Sequence, residues 1–290
     1  MALISSNDVA EDAGPGADRA AGFSQSLARG LAVLDAFTGV RDTLGIAEIS
    51  REVGLTKSTT HRYVNTLTVL GYLHQDRETR KYRLGSRAVE IGFAALNSIE
   101  LTRVAAGPLQ RLADETGFTV SMAVLDGPDV VYVERRRSGR DRQLDLDLQV
   151  GSRLPAYCTA LGKVLLAAEE PGRLRALLDR VDLARRAPNT ITVREHLLAA
   201  LDRIRRGAVA VNDEELTPGL RAIAVPVRDR SRRVVAAVNI AVHTSGWNAS
   251  TDALLRRLEP ALRHAAADIS AQLGFRERAT AVPTSRSESD

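Results

Sequence analysis

Polar and apolar positions separate cleanly along "LTKSTTHRYVNTL", residues 55–67. Wound at about 100° per residue, Ser58, His61, Arg62 and Asn65 fall on one face. Thr60, Tyr63, Val64, Leu67 and Leu70 follow the same spacing on roughly the opposite face. The spacing therefore predicts a two-faced helix. Thr56 is suited to cap its start, because a hydroxyl can accept from a backbone N–H with no partner inside the helix. Gly71 can take the left-handed conformation that ends it. Alone, this is the pattern of any amphipathic surface helix, and its neighbours narrow the reading.

Upstream, "SLARGLAVLDAFTG" spaces Leu27, Leu31, Leu34 and Phe37 helically, with Gly39 as a stop, and "GIAEISREVG" does so with Ile46, Ile49 and Val53. Gly54 and Leu55 leave only a tight joint before the two-faced segment, as a helix-turn-helix requires. Downstream, Tyr72 to Gln75 and Lys81 to Leu84 are β-prone and flank the polar turn "DRETR". Tyr82 and Leu84 alternate there with Lys81 and Arg83, the mark of a half-buried strand. A basic hairpin after a helix-turn-helix makes a winged helix.

Residues 86–117 read as helical, with breaks expected at Ser98 and at Gly107-Pro108. After a boundary near 98–101, hairpins alternate with helices. "FTVSMAVLDGPDVVYVERR" turns around Asp126 to Asp129, and "LRAIAVPVRDRSRRVVAAVNIAVHT" turns at "RDRSRR". "QLDLDLQV" alternates strictly as a strand. "AYCTALGKVLLAAEE", "VREHLLAALDRIRRG" and Thr251 to Leu273 read as helices. Consecutive hairpins point to an antiparallel sheet flanked by helices, an α+β chain, with no Gly-rich phosphate loop.

Composition sharpens this picture in three ways. The chain has 290 residues, 44% hydrophobic and 26% charged, enough for two globular domains, and no apolar run reaches the ~18 residues of a membrane span. Its start, "MALISSNDVAEDAGPGADRAAG", is acidic and lacks an apolar signal core, and Cys158 is the only cysteine, so a reducing cytoplasm is expected. The formal charge of +4 is mild, but residues 24–86 hold nine Lys/Arg against six Asp/Glu, while residues 1–23 hold four acids and one arginine. The basic excess thus coincides with the two-faced helix. The expected division is a flexible tail over 1–22, a winged helix-turn-helix over 23–86, a linker helix over 87–100, a mixed domain over 101–275 and a tail over 276–290.

"SLARGLAVLDAF", "GIAEISREVGLTKSTTHRYVNTLTVLGYL", "RLGSRAVEIG", "VGSRLPAYCTALGKVLLA" and "NDEELTPGLRAIAVPV" resemble, in this order, the IclR family of bacterial transcriptional regulators. The resemblance covers about residues 24–275. Within the family, "QSLARGLAVL" and "DLDLQVGSRLPAYCTALGKVLLA" look most like regulators of aromatic-acid breakdown through the β-ketoadipate pathway, those for protocatechuate, 4-hydroxybenzoate or catechol genes. It implies an N-terminal winged helix, a C-terminal effector domain related to the GAF fold, dimers or tetramers on DNA, and no catalysis, cofactor or metal.

The residue chemistry on the two-faced helix agrees with this. Thr56, Lys57 and Ser58 at its start suit backbone phosphates, while Thr59, His61, Arg62 and Asn65 are candidates for base edges. Arg62 can fork onto guanine and Asn65 can pair with adenine. Arg77, Arg80 and Lys81 on the wing would reach phosphates or the minor groove; the competing reading is a solvated charged turn, and for His61 an ordinary surface histidine. One winged helix reads few bases, so a palindromic operator and a dimer are expected, with Val89, Ile91 and Phe93 as a dimer contact.

For the effector, the family pattern carried over position by position gives one wall of Leu144, Leu146, Tyr157, Ala160, Leu161 and Gly162, and another of Asn212, Ala222, Asn239 and Ala241. The alternative for its leucines and alanines is plain core. Two alanines on the second wall suit an aromatic ring better than a small oxo-acid, though an oxo-acid or sugar acid is the alternative effector. A carboxylate there needs a cationic partner, for which Arg135, Arg153 and His243 are candidates. Two other classes compete: an enzyme using Cys158 and His243, and a ligand sensor whose winged helix binds proteins. The five histidines, 61, 74, 196, 243 and 264, show no metal-ligand spacing.

Overall fold

A computed structural model describes residues 23–37, 42–98, 100–137, 148–244 and 250–276. The chain divides after Ser98 into two units.

The first unit opens with α1 (Gln25–Asp35), capped by Ser24, whose hydroxyl accepts from Leu27 N at 3.3 Å. Next come α2 (Ile46–Glu52) and α3 (Lys57–Val69), and the strands β1 (Leu73–Gln75) and β2 (Tyr82–Leu84) of an antiparallel hairpin. α4 (Ser86–Ser98) completes the unit. Glu48 locks the start of α2 by accepting from Gly45 N at 2.8 Å, and Gly54, at φ 62°, makes the turn into α3. Val33, Phe37, Leu44, Ile49, Val64, Leu73 and Tyr82 form the core. Leu44 extends the hairpin by exchanging two backbone hydrogen bonds with Tyr82.

Three expectations shift here. Leu34, half-buried on α1, and Phe37, just past its end, pack into the core with Val33 as expected, whereas Leu27 and Leu31 stand 63% and 52% exposed. The core reaches only the later part of this segment, where Val33, Leu34 and Phe37 pack, and leaves the earlier turns of α1 uncovered. Leu70 is exposed because it closes the last turn of α3 rather than continuing its inner face. Leu84 is exposed because the bridge from Leu44 covers the hairpin only at Tyr82.

The second unit is a six-stranded antiparallel sheet in the order β5-β4-β3-β8-β7-β6. Its strands are β3 (Thr119–Asp126), β4 (Asp129–Arg136), β5 (Arg153–Pro155), β6 (Ala210–Asp213), β7 (Leu220–Arg228) and β8 (Val234–His243). α5 (Glu100–Thr116) and α9 (Thr251–Gln272) cover one face. A single 3₁₀ turn (Ala156–Cys158), α6 (Ala160–Ala168), α7 (Pro171–Leu178) and α8 (Arg194–Arg205) belong to the other. Both hairpin turns fall where the sequence predicts, at 126–129 and 228–234.

Strand alternation sorts the side chains between these layers. Val238, Ile240 and Val242 of β8 and Ile223, Val225 and Val227 of β7 pack under α5 and α9. The opposite positions, Ala222, Ala224, Ala237 and Ala241, are small and face α6. Small residues on that face let an apolar helix approach closely and leave room where side chains are shortest. Gly107-Pro108 does not break α5: the lost backbone bond is offset by burial of Ala105, Leu109, Leu112 and Ala113. α7, β5 and β6 were not expected, and the "QLDLDLQV" strand falls mostly outside the described residues. No helix among the described residues is long and apolar enough to cross a membrane.

Candidate DNA interface and effector cleft

α3 divides as its spacing dictates. Thr60 and Val64 are buried, Tyr63 and Leu67 half-buried, and Ser58, His61, Arg62 and Asn65 exposed. Thr56 accepts from Thr59 N at 3.3 Å and donates to Thr59 Oγ1 at 3.0 Å, so the cap holds the half-buried Thr59 hydroxyl. Among the described residues, no hydrogen bond or ion pair engages the side chains of Lys57, Ser58, His61, Arg62 or Asn65. Five polar side chains therefore stand in water on the first three turns of a capped helix, whose leading N–H groups favour anions.

The wing is ordered by Asp76. Its carboxylate accepts from Glu78 N at 3.1 Å, Thr79 N at 2.7 Å and Thr79 Oγ1 at 2.9 Å. These bonds hold its pKa below the usual carboxylate value. Arg80, at φ 59°, turns the chain into β2, and Arg77, Arg80 and Lys81 are exposed. His74 and Arg83, cross-strand partners, are also exposed. The sequence reading passed over this pair, although the period-two alternation of Lys81 and Arg83 signals it.

In the second unit, sheet register brings distant residues together. Asn212, Ala222 and Ala241 stand side by side across β6, β7 and β8, and Ser121 lies opposite Asn239 across β3 and β8. With Ala160 they line a small cleft against the start of α6. Leu144 and Leu146 lie outside the described residues. Tyr157, Leu161 and Gly162 are absent from the cleft lining. The Tyr157 hydroxyl donates to Ala184 O at 2.7 Å, Leu161 is fully buried in the core, and Gly162 allows α6 to meet the Ala156 backbone.

Of the three candidate partners for a carboxylate, Arg135 lines the cleft. Arg153 pairs with Asp126 at 2.6 Å and Asp129 at 3.6 Å, and His243 sits opposite Leu220 at the end of β8. Ser121, Tyr132, Leu148, Thr159, Leu216 and Leu220 also line the cleft and were missed. The strand alternation of Ser121 and Tyr132 was legible, but their convergence needed the register.

Not every polar group here is free for a ligand. Asn212 accepts from Glu215 N at 3.0 Å and donates to Cys158 O at 2.8 Å, which fixes its amide. Asn239 accepts from Ser121 N at 3.2 Å, and no hydrogen bond among the described residues engages its Nδ2, the Ser121 hydroxyl or the Tyr132 hydroxyl. Burial pushes the Tyr132 phenol up to about 12, against the pull of the Arg135 guanidinium, so it is a neutral donor at physiological pH. The cleft encloses about 20 Å³, room for one water. Burial also pushes the Cys158 thiol up to about 11, which removes the thiolate a nucleophile would need.

The IclR helix-turn-helix domain pattern matches residues 26–77, and the pattern of the bacterial transcriptional regulator IclR C-terminal domain matches residues 93–271. The chain belongs to the IclR family. Within it, similarity extends to the Pca regulon regulatory protein of Pseudomonas putida, 39% identical over 87% of this chain and 84% of the relative. The Escherichia coli regulator XynR is 37% identical over 87% of this chain and 98% of its own. The p-hydroxybenzoate hydroxylase transcriptional activator of Acinetobacter baylyi is 32% identical over 85% and 91%. The crystal structure of an IclR homologue from Microbacterium hydrocarbonoxydans complexed with 4-hydroxybenzoate superposes with a TM-score of 0.76 at 28% identity, covering 86% of this chain and 99% of that one. As an IclR protein, the chain is a transcriptional regulator, not an enzyme, with a DNA-binding first unit and a ligand-binding second unit.

Proposed function

We propose that this IclR regulator reads a palindromic operator through α3, as a homodimer or tetramer, and answers to an aromatic acid or its ring-cleavage product. The observation that carries the DNA reading is the row of exposed, unengaged side chains from Lys57 to Asn65 on a helix whose other face is core. Lys57 and Ser58, with Thr56, serve phosphates; His61, Arg62 and Asn65, with the half-buried Thr59 of the first turn, serve base edges; Arg77, Arg80 and Lys81 hold the flanking backbone. Self-association is supported by Leu27 and Leu31 on α1 and by Val89 and Ile91 on α4, all more than half exposed. The Phe93 side chain lies outside the described ones.

The aromatic reading rests on the 4-hydroxybenzoate bound by the Microbacterium relative and on the chemistry of the cleft here. Ala222 and Ala241 on the sheet and Ala160 on α6 offer apolar surface, Arg135 a carboxylate partner, and Ser121, Tyr132 and Asn239 hydrogen bonds for a ring hydroxyl. Leu144, Leu146, Tyr157, Leu161 and Gly162 complete the family's wall by resemblance only. With room for one water, the cleft admits such a ligand only as its lining moves, and that movement couples effector to DNA.

The test uses the full-length protein with a fragment of its own promoter. Retardation of the fragment, and a thermal midpoint raised by millimolar 4-hydroxybenzoate or a ring-cleavage acid in wild type but not in Arg135→Gln, are the expected results. A midpoint moved only by a small oxo-acid or sugar acid replaces the aromatic assignment.

A further inference from the structure

A second and larger opening lies at the other end of α6. The effector cleft meets α6 at Thr159 and Ala160, whereas this opening meets it at Val164, Ala167 and Ala168. β7 and β8 likewise give Leu220, Ala222, Asn239 and Ala241 to the first, and Pro226, Arg228, Val234 and Val235 to the second. No residue lines both. The second cleft has a volume of about 740 Å³, within the range of small-molecule sites.

Its chemistry is one-sided. Arg173, Arg205, Arg228, Arg232 and Arg233 line it, against Glu169 and Glu170. Glu169 is taken up by Arg173 at 2.9 Å. Arg205 Nε donates to Ala167 O at 3.0 Å and its Nη1 lies 3.7 Å from Asp202, and Arg228 Nη1 donates to Arg232 O at 3.0 Å. Arg233 Nε donates to Ser231 Oγ at 3.0 Å and its Nη2 lies 3.7 Å from Asp229. Among the described residues, no hydrogen bond engages the Arg232 side chain. A guanidinium has five N–H donors, so these anchors orient Arg173, Arg205, Arg228 and Arg233 and leave most of the donors unengaged. Beneath them, Val164, Ala167, Ile204, Pro226, Val234 and Val235 form an apolar floor.

We infer that this cleft is a second ligand site, for an organic anion with an apolar body and one or two acidic groups. Arg173, Arg205 and Arg233 each face a carboxylate, of Glu169, Asp202 and Asp229, whereas no ion pair among the described residues engages Arg228 or Arg232, and forked donors match carboxylate, sulfonate or phosphate oxygens. The apolar floor favours an organic ligand over an inorganic ion.

The experiment is calorimetric titration of the full-length protein with naphthalene-1,5-disulfonate. Arg173 and Arg233 have side chains 67% and 80% exposed, so Arg173→Gln/Arg233→Gln is expected to keep the wild-type thermal midpoint. One site per chain, weakened at least tenfold in that variant and unchanged in the effector-cleft variant Ala222→Leu, is the expected result. Equal affinity in wild type and the double arginine variant, loss in Ala222→Leu alone, or no binding at millimolar concentration would each overturn it. A glutamate-rich peptide that binds where the disulfonate does not would also overturn it, by assigning the face to protein docking. The response to 4-hydroxybenzoate is read separately, so either proposal can fail without the other.

Discussion

Single residues set the tolerances of the effector domain. A Cβ at Gly162 would lie 2.1 Å from Ala156 O, so Gly162→Ala must push α6 off the turn before it and is expected to cost about 1–3 kcal/mol, read from the denaturant midpoint. Lys163 and Glu215 form an ion pair with side chains only 4% and 8% exposed, and Lys163 also donates to Val211 O. Burial pulls the Lys163 pKa down and pushes that of Glu215 up, each opposed by the partner's charge. Removing the cation in Lys163→Met leaves a buried carboxylate, expected to cost about 3–5 kcal/mol. In that variant Glu215 has lost its counter-charge, so its folded pKa lies still further above the unfolded value. Its contribution to stability is therefore present at low pH and lost as pH rises through the folded pKa. Lys163→Met should regain stability on acidification, and Lys163→Met/Glu215→Leu should lose that pH dependence; a flat profile for the single variant contradicts the argument. Cys158, with its thiol near 11, should resist iodoacetamide at neutral pH in the folded protein and react once unfolded.

At the scale of elements, Thr56→Ala removes the cap of α3 and should lower stability by about 1 kcal/mol, visible in the same denaturant series. This helix was legible in the sequence because everything defining it is local: a capping hydroxyl, a helical period and a glycine at φ 80°. The hairpins at 126–129 and 228–234 were legible for the same reason. α1 was legible as a helix but not in how far the core covers it. Leu34 and Phe37 pack as the period implies, but Leu27 and Leu31 satisfy the same period and only packing leaves them exposed. β5 and β6, three and four residues long, carry too few positions to show a period. The effector cleft was partly legible. Asn212, Ala222, Asn239 and Ala241 line it as the family pattern implies, but Ser121 and Tyr132 reach it only through strand register, which no local pattern encodes.

For the whole molecule, the proposed function requires two copies on one operator and a ligand that favours one arrangement of them. Leu27→Asp/Leu31→Asp places charge on the exposed apolar edge of α1. The expected outcome in sedimentation is a smaller species that binds promoter DNA more weakly while keeping its thermal response to effector. Unchanged mass and DNA affinity would remove α1 from the assembly surface. The central claim, that the first three turns of α3 face duplex DNA, is tested most directly by promoter affinity measured over a range of salt concentrations in wild type, Lys57→Ala and Arg62→Ala. The account predicts a steep fall of log affinity with log salt, a slope reduced by about one in Lys57→Ala, and in Arg62→Ala a loss of about 1–3 kcal/mol for the promoter relative to random DNA. Affinity indifferent to salt, and equal in all three proteins, would contradict it.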